Sequence, residues 1–138
     1  MPPLLGRKAT LDDDIADARV WWDNVRTTLP DEGIAALWFG IFDGRTEAGS
    51  GRQLYVAGTE EFDADDETGD WASGEYPWWP TGRYVVLKAL RRLSEEPYEE
   101  PLAHAVEVVR ALGPWIDYPH LGVAVGYDDG DVEVLHCP

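Results

Sequence analysis

The sequence predicts a single α+β domain, in which an antiparallel sheet of about four strands packs against about three helices. Three observations support this fold class. The length of 138 residues fits one domain. Three segments carry apolar residues at helical spacing, and two pairs of apolar runs are separated by short connections rich in turn residues. The hydrophobic fraction of 44% is sufficient for a packed core, so we expect a globular chain.

The chain begins with an expected N-terminal arm over residues 1–9, and the single domain is expected to cover residues 10–138. Thr10 followed three positions later by Asp13 is typical of a capping box at a helix start. Apolar residues then recur at intervals of three and four from Leu11 to Leu29, and Pro30 follows. This pattern predicts a first helix with one apolar stripe.

Two strands are predicted next. Residues 34–42 form a short, continuously apolar run between glycine-containing turns, which indicates a central strand covered on both faces. Residues 45–51 are expected to be a glycine-rich connection. Residues 53–58 are then expected to form a second strand, antiparallel to the first.

Two further helices and a hairpin complete the prediction. Helical spacing indicates helices over 84–93 and 97–112, and His104 lies off the apolar stripe of the second, so we expect it to be exposed. Apolar runs at 121–127 and 132–136 flank an Asp- and Gly-containing loop, which is a hairpin signal. The order of the strands in the sheet is not determined by the sequence.

The segment 60–80, which we call the acidic segment, has the most unusual composition of the chain. Residues 53–82 contain eight carboxylates and no Lys or Arg, so they hold half of the net charge of −16. This charge disfavours nucleic acid and anionic membranes as partners, because both require cations on the protein. A field of this sign attracts basic partners instead.

Localisation is expected to be cytoplasmic. The N-terminus lacks an apolar core of signal-peptide length, and no run approaches the length of a membrane helix. The single cysteine, Cys137, cannot form a disulfide within the chain and fits a reducing compartment.

No motif for catalysis or for metal binding is complete. Asp63, Asp65 and Glu67 alternate as in a calcium-binding loop, but the sixth position is Thr68 instead of Gly and the twelfth is Gly74 instead of Glu. Histidines and serines lie outside known catalytic arrangements. We therefore expect a binding protein without enzymatic activity or cofactor. At residues 63–74 a charged, solvated loop is favoured over a metal site, and whether this loop binds a metal ion stays open.

The expected contact surface combines carboxylates, which attract a basic partner, with aromatic side chains that anchor it. Trp78 and Trp79 lie between Pro77 and Pro80, so the two rings cannot easily both enter the core, and at least one is expected at the surface. The predicted partner-binding residues are Glu60, Glu61, Asp63, Asp65, Asp66, Glu67, Asp70, Trp71, Glu75, Tyr76, Trp78 and Trp79.

Three stretches together resemble bacterial immunity proteins that accompany polymorphic toxins. They are LYVAGTEEFDADDETGDWA, YPWWPTGRYVVLKAL and VAVGYDDGDVEVL, and the resemblance spans roughly Leu54 to Leu135. It implies a cytoplasmic protein that binds and blocks one cognate protein toxin, and it supplies no catalytic residues. A toxin with a basic surface or active-site cleft would fit the acidic segment.

Other functions are compatible with the same residues. The first alternative is a small-ligand or carbohydrate-binding module that uses the tryptophan-rich segment, since tryptophan rings stack on sugars. An enzyme of unrecognised type and a self-associating scaffold are further alternatives. Neither the toxin nor the oligomeric state follows from the sequence.

Overall fold

A computed structural model describes residues 8–66, 69–93, 99–128 and 130–138. The described residues form a single α+β domain with three helices, a single helical turn over Pro114–Asp117, and five strands. None of these helices combines the length and the apolar character required to span a bilayer. The elements are α1 (Leu11–Val25), β1 (Ala36–Thr46), β2 (Gly49–Thr59), β3 (Tyr84–Val85), α2 (Lys88–Arg92), α3 (Glu99–Leu112), β4 (Gly122–Tyr127) and β5 (Val132–His136).

The five strands form one mixed sheet in the order β3-β2-β1-β4-β5. The β1–β2 and β4–β5 pairs are antiparallel, as predicted. The prediction of a wholly antiparallel sheet is wrong for β1 and β4, which run parallel from Ala36 beside Gly122 to Ile41 beside Tyr127. Between β1 and β4 the chain passes through β2, β3, α2 and α3. Helix α3 brings the chain back to the end of the sheet where β1 begins, so β4 starts there and runs parallel to β1.

Helix α1 begins with the predicted capping box. The Thr10 hydroxyl accepts a hydrogen bond from the Asp13 backbone N–H at 3.3 Å, and the Asp13 carboxylate accepts one from the Thr10 N–H at 2.8 Å. Ala18 and Trp22 on the predicted apolar stripe are buried. The helix ends at Val25, and a short 3-10 turn follows before Pro30.

The helix predicted over 84–93 is wrong in its first part. Tyr84 and Val85 form β3 and pair with Tyr55 and Leu54 of β2, and helix α2 begins only at Lys88. The Tyr84 ring packs against Tyr55 at 5.6 Å between ring centroids. These contacts outweigh the local helical spacing, because propensity is weaker than packing.

Two other boundaries also differ from the predictions. The connection expected over 45–51 is mostly strand, since β1 and β2 extend until Thr46 pairs with Gly49. The buried Gln53 amide stabilises this end of the hairpin by donating to the Gly44 and Gly49 carbonyls. Helix α3 is described from Glu99 onward, and the first two positions of its predicted range lie outside the described residues.

Helix α2 has only five residues, a length that is not stable in isolation. The Asp14 carboxylate of α1 accepts hydrogen bonds from the N–H groups of Ala89 and Leu90 at 3.1 and 2.9 Å. At the other end, the Arg52 guanidinium donates to the carbonyls of Leu90 and Leu93 at 3.0 and 2.7 Å. Both charges have the sign that the helix dipole favours, so α2 is held by side chains from distant elements.

The prediction that His104 is exposed is wrong. Its Nε2 atom lies 2.8 Å from a carboxylate oxygen of Asp14, and its side chain is only 13% exposed. The imidazole lies against Asp14 because that carboxylate is fully buried and requires hydrogen-bond partners.

The sheet has two covered faces, which confirms the prediction for β1. Leu37, Phe39 and Val56 pack with the residues of the helices in one core cluster. On the other side, which we call the second face, Trp38 and Tyr55 pack with residues of the acidic segment in a second cluster. The acidic segment is therefore a structural layer of the domain.

Candidate partner-binding site

Phe62 and Trp71 attach the acidic segment to the second face of the sheet. Trp71 is 6% exposed and meets the rings of Trp38 and Phe62 edge-on, at centroid distances of 5.9 and 5.0 Å. The Phe62 ring occupies the space above Gly122, where a Cβ atom would lie 2.8 Å from it. The glycine on β4 thus permits the close contact that holds the segment.

Four of the predicted carboxylates meet around one small depression of about 100 Å³. Glu60, Glu61 and Glu75 are exposed, and none of them takes part in an ion pair within the part of the chain that the structure describes. We call this feature the acidic depression, and it is lined by Glu60, Glu61, Asp70, Trp71, Gly74 and Glu75.

The remaining predicted carboxylates do not line the acidic depression. Asp63 and Asp65 are exposed in a turn in which an oxygen of Asp63 accepts the Asp65 N–H at 3.0 Å. Asp66 is half-buried. Glu67 lies outside the described residues. The carboxylates follow one another closely in the sequence, but only some of them line the depression.

The tryptophans that follow have different surroundings. Trp79 is 42% exposed, which confirms that at least one of the adjacent pair lies at the surface. Trp78 is 5% exposed, and its indole N–H donates to the Thr28 hydroxyl at 3.1 Å. Buried side chains offer almost no surface to a partner, so Trp71 and Trp78 stabilise the fold, and Trp79 is the tryptophan of the predicted site that a partner can reach.

Trp79 belongs to a cluster of contacting side chains, which we call the aromatic patch and define as Tyr76, Trp79, Arg83 and Tyr84. The rings of Tyr76 and Trp79 stack at 5.1 Å with an interplanar angle of 8°. The Arg83 guanidinium lies 4.1 Å from the ring centroid of Trp79 and 5.0 Å from that of Tyr84. Sequence reasoning missed Arg83 and Tyr84, because the spacing after residue 84 indicated a helix.

A hydrogen-bonded chain of side chains lies beside this patch. The Trp38 indole N–H donates to the Tyr55 hydroxyl at 3.0 Å, and that hydroxyl donates to the Asp128 carboxylate. Burial, followed by the hydrogen bond to Asp128, raises the pKa of Tyr55 well above its ordinary value. Burial and the charge of Asp128 also raise the pKa of Tyr76. Both phenols are therefore neutral at physiological pH.

We expect the stability of the protein to fall above about pH 10. A phenol with a raised pKa in the folded state stabilises the fold fully below the ordinary tyrosine pKa, and this contribution is lost as the pH rises. Urea unfolding at about pH 8 and about pH 10.5 measures the loss. A Tyr55→Phe variant should show a smaller decrease, and an equal decrease in both proteins would contradict the assignment.

The described residues contain no group of three or more His, Cys, Asp or Glu side chains that could hold a metal ion. Comparisons with protein-family models, curated proteins and solved structures found no match to this chain.

Proposed function

We propose that this chain is an immunity-type binding protein, which neutralises a cognate bacterial toxin by binding it directly and covering its active-site cleft. The observation that carries this proposal is the acidic depression, where four carboxylates surround one small concavity. The resemblance of three stretches of the sequence to immunity proteins supports the same function.

The charge of the depression favours a basic protein partner. Three of its carboxylates are exposed and have no ion-pair partner among the described residues, so their repulsion persists in the free protein. A partner that brings Lys or Arg side chains removes this repulsion and is also attracted over distances of about 10 Å. Toxins that act on nucleic acids or nucleotides need basic clefts to hold phosphates, which makes such clefts complementary to this surface.

The aromatic patch supplies the anchor that such an interface requires. Exposed tryptophan and tyrosine side chains are enriched among the residues that dominate binding energy. The Trp79 ring is already held by Tyr76 and Arg83, so it loses little conformational freedom on binding. Glu75 of the acidic depression directly precedes Tyr76, which makes the charged and aromatic surfaces adjacent in the chain.

A carbohydrate-binding module has less support. Stacking of a sugar requires an open tryptophan face, whereas Tyr76 stacks on the Trp79 ring and the Arg83 guanidinium lies over it. Trp71 and Trp78 are buried. The segment therefore lacks the row of open aromatic faces that this alternative needs.

The test of the proposed function is charge reversal at the acidic depression. A variant carrying Glu60→Lys, Glu61→Lys and Glu75→Lys is expected to associate about tenfold or more slowly with its partner at low salt, and to show a weaker dependence on salt. The partner for this test is the C-terminal domain encoded by the adjacent upstream gene, co-expressed and co-purified with this chain. Stopped-flow kinetics with the purified domain give the association rate.

A matched control carries the same change in net charge at Asp12→Lys, Asp17→Lys and Glu100→Lys. These residues are exposed on α1 and α3, the helices on the opposite side of the sheet from the acidic segment. The control is expected to slow association much less. If the two variants have equal rates, or if the upstream domain does not bind the unmodified chain, the proposed function is wrong.

A further inference from the structure

A second cavity lies between the acidic segment and the turn that joins β4 to β5. Its volume is about 170 Å³. Three of the side chains that line it are aromatic, namely Trp38, Tyr76 and Tyr127, and the hydroxyl-bearing Ser73 also lines it. Asp128 is the single carboxylate among the lining residues and is exposed to solvent.

The Asp128 carboxylate is held in place before any ligand arrives. One of its oxygens accepts the hydrogen bond from Tyr55, whose hydroxyl in turn accepts the Trp38 indole N–H. The other oxygen has no hydrogen-bond partner within the described ranges. The second oxygen therefore offers a hydrogen-bond acceptor at the cavity, in an orientation fixed by a buried donor chain.

We infer that this cavity binds an alkylammonium group, with the cation on Asp128 and its alkyl chain against the half-buried rings of Tyr76 and Tyr127. Aromatic rings attract cations through the negative charge of their faces, and a carboxylate supplies the hydrogen-bond acceptor and the countercharge. An anion is disfavoured by Asp128 and by the net charge of −16. The volume admits one slender group, such as a free primary amine or the end of a lysine side chain.

This inference goes beyond the proposed function, because the acidic depression takes no part in it. Asp128 and Tyr127 do not line that depression, and its Glu60, Glu61 and Glu75 do not line this cavity. Loss of toxin binding after charge reversal would leave the cavity intact. The hypothesis of toxin binding and the hypothesis of alkylammonium binding can therefore fail independently of each other.

The test uses n-butylammonium chloride as the probe and butan-1-ol as the neutral control. We expect butylammonium to bind with a Kd of about 1 mM or tighter and to shift the indole N–H resonance of Trp38 in two-dimensional NMR spectra. Butan-1-ol should bind about tenfold more weakly or not at all, since it lacks the cation. Equal binding of the two compounds would overturn the inference.

Asp128→Asn tests the charge at nearly constant volume, and Asp131→Asn is its matched control. Asp131 is exposed in the same turn but does not line the cavity. We expect Asp128→Asn to weaken butylammonium binding about tenfold and Asp131→Asn to leave it unchanged. Equal affinities of the two variants would also overturn the inference. If Asp128→Asn does not fold, Tyr127→Leu replaces it, with a smaller loss expected from the missing aromatic wall.

The source of the amine is decided with a second probe, the Nα-acetyl methylamide of lysine. Tighter binding of this compound than of butylammonium would assign the cavity to a lysine of a protein partner. Tighter binding of butylammonium would assign it to a free amine. Both results support an alkylammonium site, whereas binding of neither compound at 20 times the expected Kd of about 1 mM would refute it.

Discussion

Replacing Asp14 with alanine is expected to lower the free energy of unfolding by about 4 kcal/mol. The carboxylate is fully buried and accepts hydrogen bonds from the N–H groups of Ala89 and Leu90, and it also contacts His104. Its removal leaves two buried backbone N–H groups and the partly buried His104 imidazole without this acceptor. It also leaves the N-terminus of the short helix α2 uncapped. Urea unfolding monitored by tryptophan fluorescence measures the change.

Asp17→Ala is the matched control for this variant. Asp17 is exposed on the same helix, and we expect its replacement to change stability by less than about 0.5 kcal/mol. Asp14→Asn should fall between the two, because an amide oxygen can still accept a hydrogen bond but lacks the charge that favours the helix N-terminus. Equal stability of the Asp14→Ala and Asp17→Ala variants would show that Asp14 does not hold α2.

Gly40→Ala is expected to destabilise the protein by about 3 kcal/mol. A Cβ atom at this position of β1 would lie 2.2 Å from two carbon atoms of the Tyr55 ring, which crosses the strand here. The ring would have to move, and its hydrogen bonds with Trp38 and Asp128 would break. Thermal unfolding followed by circular dichroism measures the loss.

Gly74→Ala provides the control, since a Cβ atom at Gly74 has no neighbour within 4 Å. A double variant identifies the cause of the effect. If the clash with Tyr55 is responsible, Gly40→Ala combined with Tyr55→Ala should be about as stable as Tyr55→Ala alone. Additive losses would instead indicate that Gly40 is required for another reason.

The candidate site could be predicted from the sequence in its composition but not in its geometry. The concentration of carboxylates between residues 60 and 75 is visible directly, and so is the conflict between Trp78 and Trp79. Which carboxylates share one depression depends on how Phe62 and Trp71 pack on the sheet. That packing requires Gly122 on β4, which lies sixty positions after Phe62 in the chain.

No local sequence pattern predicts the cavity beside Asp128. Asp128 was predicted only as part of a hairpin loop, and Trp38 as part of a central strand. Their connection through Tyr55 exists because β2 and β4 both flank β1 in the sheet. Strand order places these residues together, and strand order is not determined by local spacing.

The sequence alone predicts the elements with strong local patterns. These are the capped helix α1, the β1–β2 hairpin, most of α3 and the β4–β5 hairpin, because hydrophobic period and turn residues act within a few positions. It also determined the sign and the location of the charge. These features require no knowledge of the distant parts of the chain.

Long-range packing sets the parallel pairing of β1 and β4, the strand at Tyr84, and the short helix α2 between Asp14 and Arg52. It also decided that Trp71 and Trp78 are buried while Trp79 is exposed. Each depends on contacts between residues far apart in the chain, whose packing and hydrogen bonds outweigh local conformational preference.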